Sequence, residues 1–180
     1  PIGISFYTFH TISYILDVMD GKVHPTRDIF EYLAYVSLFS QLVAGPIVRF
    51  RQIESDLEHV DRPIQPDFMA KGLGFFVIGL VKKVIIADSF ARLVDPMLSS
   101  QHPLSVLGAW LAALGYTFQL YYDFSGYSDM AIGLGYFFGI RIPKNFNSPY
   151  RARGIGDFWC RWHISLSTWF RDYLFLPLAF

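Results

Sequence analysis

The sequence predicts an all-α fold, a polytopic transmembrane helical bundle with irregular or re-entrant connections, on three observations. Of its 180 residues 53% are hydrophobic and only 17% are charged, against roughly 25% in an average soluble domain. Charge is absent from long runs, among them the 27 residues from 96 to 122, where a surface helix would show a charge on every turn. The remaining polarity gathers in two short aromatic-rich stretches. The alternative, a soluble all-α protein with a greasy core, leaves the neutral runs unexplained. Lys plus Arg equals Asp plus Glu at 15 each, so no net field points to nucleic acid. Abundant apolar surface excludes intrinsic disorder. The lone Cys160 excludes a disulfide framework and a cysteine-built metal site, and no metal centre is expected.

Spanning a hydrocarbon core of ~30 Å takes about 20 mainly apolar residues at about 1.5 Å each. Residues 1–16 are uncharged but rich in Ser, Thr and aromatics, which suits half a span. Residues 17–28, with Gly21 and Pro25, read as a polar connection. Residues 32–48 are neutral, and 29–31 bring them to spanning length. Pro46 removes a helical hydrogen bond, so that helix should break at Gly45-Pro46. Residues 49–67 carry many charges and two prolines and read as a solvent or interface segment. In 68–94 an apolar stretch meets Lys82-Lys83. A lysine at the bilayer centre costs ~2.5–3.5 kcal/mol on insertion scales, which puts this pair near an interface or against protein. Asp88 and Arg92 are spaced as an i,i+4 pair. Pro96 and Pro103 signal turns, and 104–122 is the clearest spanning helix. Residues 141–153, with Pro143 and Pro149, form a second irregular stretch. Basic residues in nearly every connection give no orientation. The start at Pro1 lacks the basic region of a signal peptide, and the chain reads as one internal piece, 1–180, of a longer membrane protein.

Function is sought where polarity appears in apolar context, because burying an ionisable group must be compensated. The first such place is Tyr121-Tyr-Asp-Phe-Ser-Gly-Tyr-Ser-Asp129. Gly126 allows a turn or a close helix approach, and Gly135 and Gly139 have a spacing suited to helix packing. Asp123 and Asp129 fit the positioning of an Arg or a hydroxyl substrate, or a proton path. They equally fit a helix connection in which Ser125 and Ser128 satisfy backbone groups. The second place runs from Asp157 to Asp172. At about 100° per residue, Asp157, Arg161, Ser165, Thr168 and Asp172 share one stripe. Trp159, His163, Leu166 and Phe170, with Ser167 beside them, fall on the opposite face. Desolvation keeps an imidazole neutral and able to accept a proton, which is what general-base attack by a hydroxyl needs. The bland reading is a histidine that hydrogen-bonds a neighbouring helix. His10 is a weaker case of the same kind, and His24, His59 and His102 look incidental. No phosphate-cradling Gly-Lys-Ser/Thr loop, zinc-binding His spacing or thiolate environment at Cys160 is present.

Six pieces carry a family resemblance: Pro1-Ile-Gly-Ile-Ser-Phe-Tyr-Thr-Phe, Ala44-Gly-Pro-Ile-Val-Arg49, Lys82-Lys-Val-Ile-Ile-Ala-Asp88, Tyr122-Asp-Phe-Ser-Gly-Tyr-Ser-Asp-Met-Ala-Ile-Gly-Leu-Gly135, Pro143-Lys-Asn-Phe-Asn-Ser-Pro-Tyr150 and Phe158-Trp-Cys-Arg-Trp-His-Ile-Ser-Leu-Ser167. In order and content they resemble the membrane-bound O-acyltransferase superfamily, in particular its bacterial alginate O-acetyltransferase branch and the relatives that D-alanylate teichoic acids. The resemblance implies a multi-pass enzyme of the bacterial inner membrane that moves an acyl group, in this branch acetyl, to a hydroxyl on its way to exported polysaccharide. It implies a thioester co-substrate, acetyl-CoA or an acyl carrier, with no bound cofactor, membrane lipid as surroundings, and an extracytoplasmic acetyltransferase as partner. His163 matches the first of the family's two active-site histidines; the second lies further along the family pattern, so the isolated fragment is expected to be inactive. Asp123, Ser125, Asp129, Trp159, Arg161 and Ser167 are the candidates for lining a tunnel or positioning substrate. Two rivals stay open: a transporter or channel segment with an Asp/His proton relay, and a non-catalytic scaffold for a partner acetyltransferase.

Overall fold

A computed structural model of the chain describes residues 4–26, 28–38, 45–59, 62–100 and 102–179. All regular elements among them are helical. The first, α1 (Ile4–Met19), is a single helix whose His10, Ser13 and Asp17 are buried on one side. The polar connection expected from residue 17 therefore begins later. Asp17 is buried inside α1 because the Tyr173 hydroxyl donates to it at 2.7 Å and Arg51 lies 3.8 Å away, and the turn comes at Gly21, with φ +68°.

Helix α2 (Ile29–Ser37) starts at Asp28, whose carboxylate accepts from the Phe30 N–H at 2.8 Å. It stops after nine residues, where Leu38 turns extended, so the span expected over 29–48 does not form as one helix. Residues 39–44, with Ala44 of the second family-like piece, lie outside the described residues, as do residues 1–3 of the first. Gly45 to Arg49 are non-helical and buried, as Pro46 requires. The charged segment that follows is not a loop throughout. It contains α3 (Phe50–Leu57), which buries Phe50 and Ile53 and pairs Asp56 with Arg141 at 2.8 Å. Tyr35, Val48, Phe50 and Ile53 join Val23, Ile132, Ile140 and Ile142 in the core.

The longest structure is an antiparallel pair. One arm comprises α4 (Pro66–Leu80), a π-helical segment (Val81–Ala87) and α5 (Asp88–Leu98); the other is α6 (Val106–Phe137). Pro96 is accommodated inside α5 and makes no turn. Ser105 caps α6 by accepting from the Gly108 N–H at 3.1 Å. Glycines set the distance between the arms. A Cβ on Gly79 would stand 2.5 Å from the Gly126 carbonyl oxygen, and one on Gly133 would stand 2.7 Å from that of Gly72. Gly126 is thus a close-approach residue within an unbroken helix. Gly135 and Gly139 do not form the expected packing pair: Gly135 receives Ile142, and Gly139, at φ +75°, closes the end of α6.

Wider π-helical winding carries both lysines onto α6. Lys82 Nζ lies 2.5 Å from Asp129 and Lys83 Nζ 2.5 Å from Asp123, which is the placement against protein that the cost of burying them required. Asp88 pairs with Lys83 at 3.1 Å, and no Asp88–Arg92 pair is present among the described residues. Among the described residues, no helix is long and apolar enough to cross a membrane. The expected span at 104–122 fails on composition. Tyr116, Thr117, Gln119, Tyr121 and Tyr122 carry no charge but are far from hydrocarbon-like, and α6 then runs directly into Asp123.

Residues 141–153 are irregular apart from a short turn of 3-10 helix at Pro149–Arg151. The continuous helix expected over 157–172 is broken. In its place are α7 (Ile155–Trp159), α8 (Ile164–Phe170), a second π-helical segment (Arg171–Phe175) and α9 (Leu176–Ala179). The break has a partner far away in sequence. The Asn147 N–H donates to the Arg161 carbonyl and the Ile164 N–H to that of Asn145, both at 2.9 Å. Those groups are therefore unavailable to a helical ladder.

Candidate active site

His163 occupies the break between α7 and α8 in a left-handed conformation, φ 44° and ψ 55°. A non-glycine residue there costs roughly 1–2 kcal/mol, and such strain persists only where surrounding contacts dictate it. The contact responsible is Asn145. Its Oδ1 accepts from the Ser165 N–H at 3.1 Å and from the Ser165 hydroxyl at 2.9 Å. A backbone N–H only donates, so this atom is the amide oxygen. The His163 Nδ1, 3.1 Å from the same oxygen, must then carry the proton. The lone pair is left on Nε2, which has no hydrogen-bond partner among the described residues.

The rest of the network pins Asn145 in turn. Its Nδ2 donates to Ser128 on α6 at 3.4 Å, and the Ser165 hydroxyl accepts from the Ile47 N–H at 2.9 Å. Four segments thus meet in one network around this carboxamide: the residues after Pro46, α6, the irregular stretch after it, and α8. Aromatic rings surround the imidazole. Phe124 meets it edge-on at 4.8 Å and Phe146 lies parallel at 6.5 Å. Trp162 and Tyr121 extend the cluster around Phe146. Burial in this setting lowers the His163 pKa to about 4, so the ring is neutral at physiological pH. With Nδ1 held and Nε2 open, it has the form of an oriented general base.

The other residues expected at the site divide. Ser125 is buried on α6, beside Phe124 in sequence, with its hydroxyl unpartnered. Asp123 and Asp129 are committed to Lys83 and Lys82. Arg161 pairs with Asp157 at 2.6 Å and reaches the Asn147 carbonyl at 3.3 Å, so it braces the loop that carries the imidazole. Ser167 donates to the Trp162 carbonyl at 3.3 Å. Trp159 is largely exposed and packs on Phe158, away from the imidazole. The expected 157–172 stripe does not exist as a surface, because Asp172 turns to Arg49 and Arg171, at 2.8 and 2.6 Å. His163 does sit among aromatics, but they come from α6 and the 146 loop and not from its own helix. His10 is wholly buried, and neither ring nitrogen is hydrogen-bonded. Asn145 was missed as a functional residue; only its place in the Pro143–Tyr150 motif hinted at it. Among the described residues no cluster of His, Cys, Asp or Glu is suited to a metal ion.

The described residues thus form an all-helical fold in which an asparagine orients a neutral histidine. The comparisons with known proteins give the family. The family model of the membrane-bound O-acyltransferase family matches residues 4–180, and the chain belongs to that family. It is 51% identical over 179 residues to the probable alginate O-acetylase of Pseudomonas aeruginosa, covering 99% of this chain and 34% of that protein. It is 41% identical over 204 residues to the peptidoglycan O-acetyltransferase of Helicobacter pylori, covering 99% of this chain and 39% of that protein. With the teichoic acid D-alanyltransferase of Bacillus subtilis it shares 34% identity over 180 residues, or 46% of that protein. The chain therefore spans between a third and a half of the length of these relatives.

Proposed function

We propose that this chain is the part of a membrane-embedded O-acyltransferase that carries His163 as a catalytic base, acting on hydroxyls of an exported polysaccharide such as alginate. The observation that carries the reading is the His163–Asn145 pair, which presents Nε2 with its lone pair free. In the step we envisage, Nε2 takes the proton of an acceptor hydroxyl as its oxygen attacks the carbonyl of an acyl thioester. The C–O bond forms, the C–S bond breaks, and the departing thiolate takes the proton back from the imidazolium. The acyl group is acetyl, its donor acetyl-CoA or an acyl carrier, and an extracytoplasmic acetyltransferase is the partner towards which it moves. The 51% identity to a probable alginate O-acetylase supports the polysaccharide.

A bacterial inner-membrane location with several passes is part of the same proposal. Exposed apolar rows support it: Val106, Leu107, Trp110, Leu111 and Leu114 on α6, and Leu73, Val77, Leu80 and Val84 on the facing arm. Apolar surface so extensive marks lipid or protein contact. Irregular backbone at membrane depth is tolerated where protein buries it, as it is around Gly45 and Asn145. The ion-relay reading draws less support, because both aspartates are spent on lysines.

His163→Ala in the full-length protein is expected to abolish transfer of labelled acetyl while membrane insertion and abundance stay at wild-type levels. Wild-type product from that variant defeats the assignment, and absence of any transfer by the wild-type protein given labelled donor points to a scaffold.

A further inference from the structure

A second site adjoins the first. A cavity of about 190 Å³ is lined by Ile47, Arg49, Lys144, Ile164, Ser165 and Arg171, among others. Three of these side chains are cations, brought together from the segment after Pro46, the irregular stretch after α6, and the second π-helical segment. The carboxylate paired with them is Asp172, which two guanidiniums share: Arg49 Nη2 at 2.8 Å and Arg171 Nε at 2.6 Å. Lys144 has only a ring contact, its Nζ 5.7 Å from the centre of Phe75. Taking the three cations against Asp172, the cavity wall carries two uncompensated positive charges.

Arg49 makes this more than a charged patch. It is 7% exposed, and its Nη2 is ion-paired with Asp172 at 2.8 Å. Beyond Asp172 its guanidinium lies over the Tyr173 ring at 5.1 Å. A guanidinium has five N–H donors, more than one carboxylate shared with Arg171 engages. A carboxylate or phosphate oxyanion at the cavity engages further donors in the fork geometry that arginine favours. The volume bounds the ligand. Against roughly 30 Å³ per liquid water, the space has room for one phosphate or carboxylate group with some water.

We propose that this cavity binds the anionic group, phosphate or carboxylate, of a substrate whose reacting end lies at His163. The two sites share a residue: Ser165 lines the cavity and donates to the Asn145 oxygen that holds the imidazole. An anion fixed here anchors a substrate beside the base and so supplies orientation. The proposal rests on the acyl-transfer reading only for what lies at the other end of the ligand. Phosphate arises from a pantetheine-type donor, carboxylate from an acidic sugar of the acceptor.

The test is calorimetric binding to the detergent-solubilised full-length protein, with 4′-phosphopantetheine, a uronic acid disaccharide and inorganic phosphate as separate probes. Lys144 and Arg171 are exposed, so Lys144→Gln with Arg171→Gln tests the site without emptying a buried position. The double variant is expected to weaken one organic probe at least tenfold, and 0.5 M salt to weaken the wild type in the same direction. Loss confined to phosphopantetheine identifies the donor, and loss confined to the uronate identifies the acceptor. Equal binding by wild type and double variant, no binding of either organic probe, or binding of inorganic phosphate alone (an adventitious ion only) overturns the proposal. Those results leave the His163 assignment standing, since that is judged by transfer.

Discussion

Replacing Asn145 tests the base and its support together. The side chain is 1% exposed, and its oxygen accepts from three donors, the Ser165 N–H, the Ser165 hydroxyl and His163 Nδ1. Asn145→Ala strands a buried backbone N–H, which costs roughly 1–3 kcal/mol, and removes the group that fixes the imidazole tautomer. General-base catalysis contributes about 10²–10⁴-fold, so acetyl transfer is expected to fall at least ~100-fold by that account. Asn145→Asp keeps the shape and adds a negative charge beside the ring. A carboxylate at that distance raises the histidine pKa by about 1–3 units, from its wild-type value of about 4. The base must be neutral to act, so wild-type kcat/KM falls as pH drops through about 4, and in the Asp variant that acid limb moves to higher pH. The assay is labelled acetyl transfer by the full-length protein from pH 4 to 8, with thermal unfolding as the control for folding. Wild-type kcat in the Ala variant, or an unmoved acid limb in the Asp variant, refutes the role given to Asn145.

Three further outcomes follow from the same structure. His163 in the folded chain protonates only near pH 4, whereas an unperturbed histidine does so near 6.5; between these values the unfolded chain binds the extra proton, so this group's share of stability is lost as pH falls from 6.5 towards 4. Denaturant midpoints that change less in His163→Gln than in wild type over that interval would bear this out. Gly79→Ala places a methyl 2.5 Å from the Gly126 carbonyl oxygen; it should destabilise by about 1–3 kcal/mol, the usual cost of overpacking, and a melting temperature equal to wild type would contradict the close approach. Lys82→Met leaves the largely buried Asp129 without its partner, and breaking such a pair is worse than removing both members. Lys82→Met with Asp129→Leu should therefore recover stability lost in the single variant, and strictly additive losses in the double-mutant cycle would deny the coupling.

Much of the class was legible in the sequence, and the reason is locality. The all-helical fold, the interruption at Pro46, the irregular 141–153 stretch and the need to hold Lys82 and Lys83 against something follow from neighbouring residues and from the cost of burying charge. His163 stood out for the same reason, as an ionisable group among apolar ones. Neutral runs were a weaker guide: the absence of charge in 104–122 was equated with apolarity, although tyrosines and Gln119 make that stretch only moderately apolar. What tertiary structure decided depends on groups far apart in the chain. Asn145 acts across 18 residues on His163, and Lys82 across 47 on Asp129. The helix drawn through 157–172 from its periodicity gave way because Asn145 and Asn147 pair with the backbone at 161–164. Periodicity describes how a segment is wound when its hydrogen bonds stay within it, and here a distant loop takes them, which turns a helix face into the strained corner where the imidazole sits.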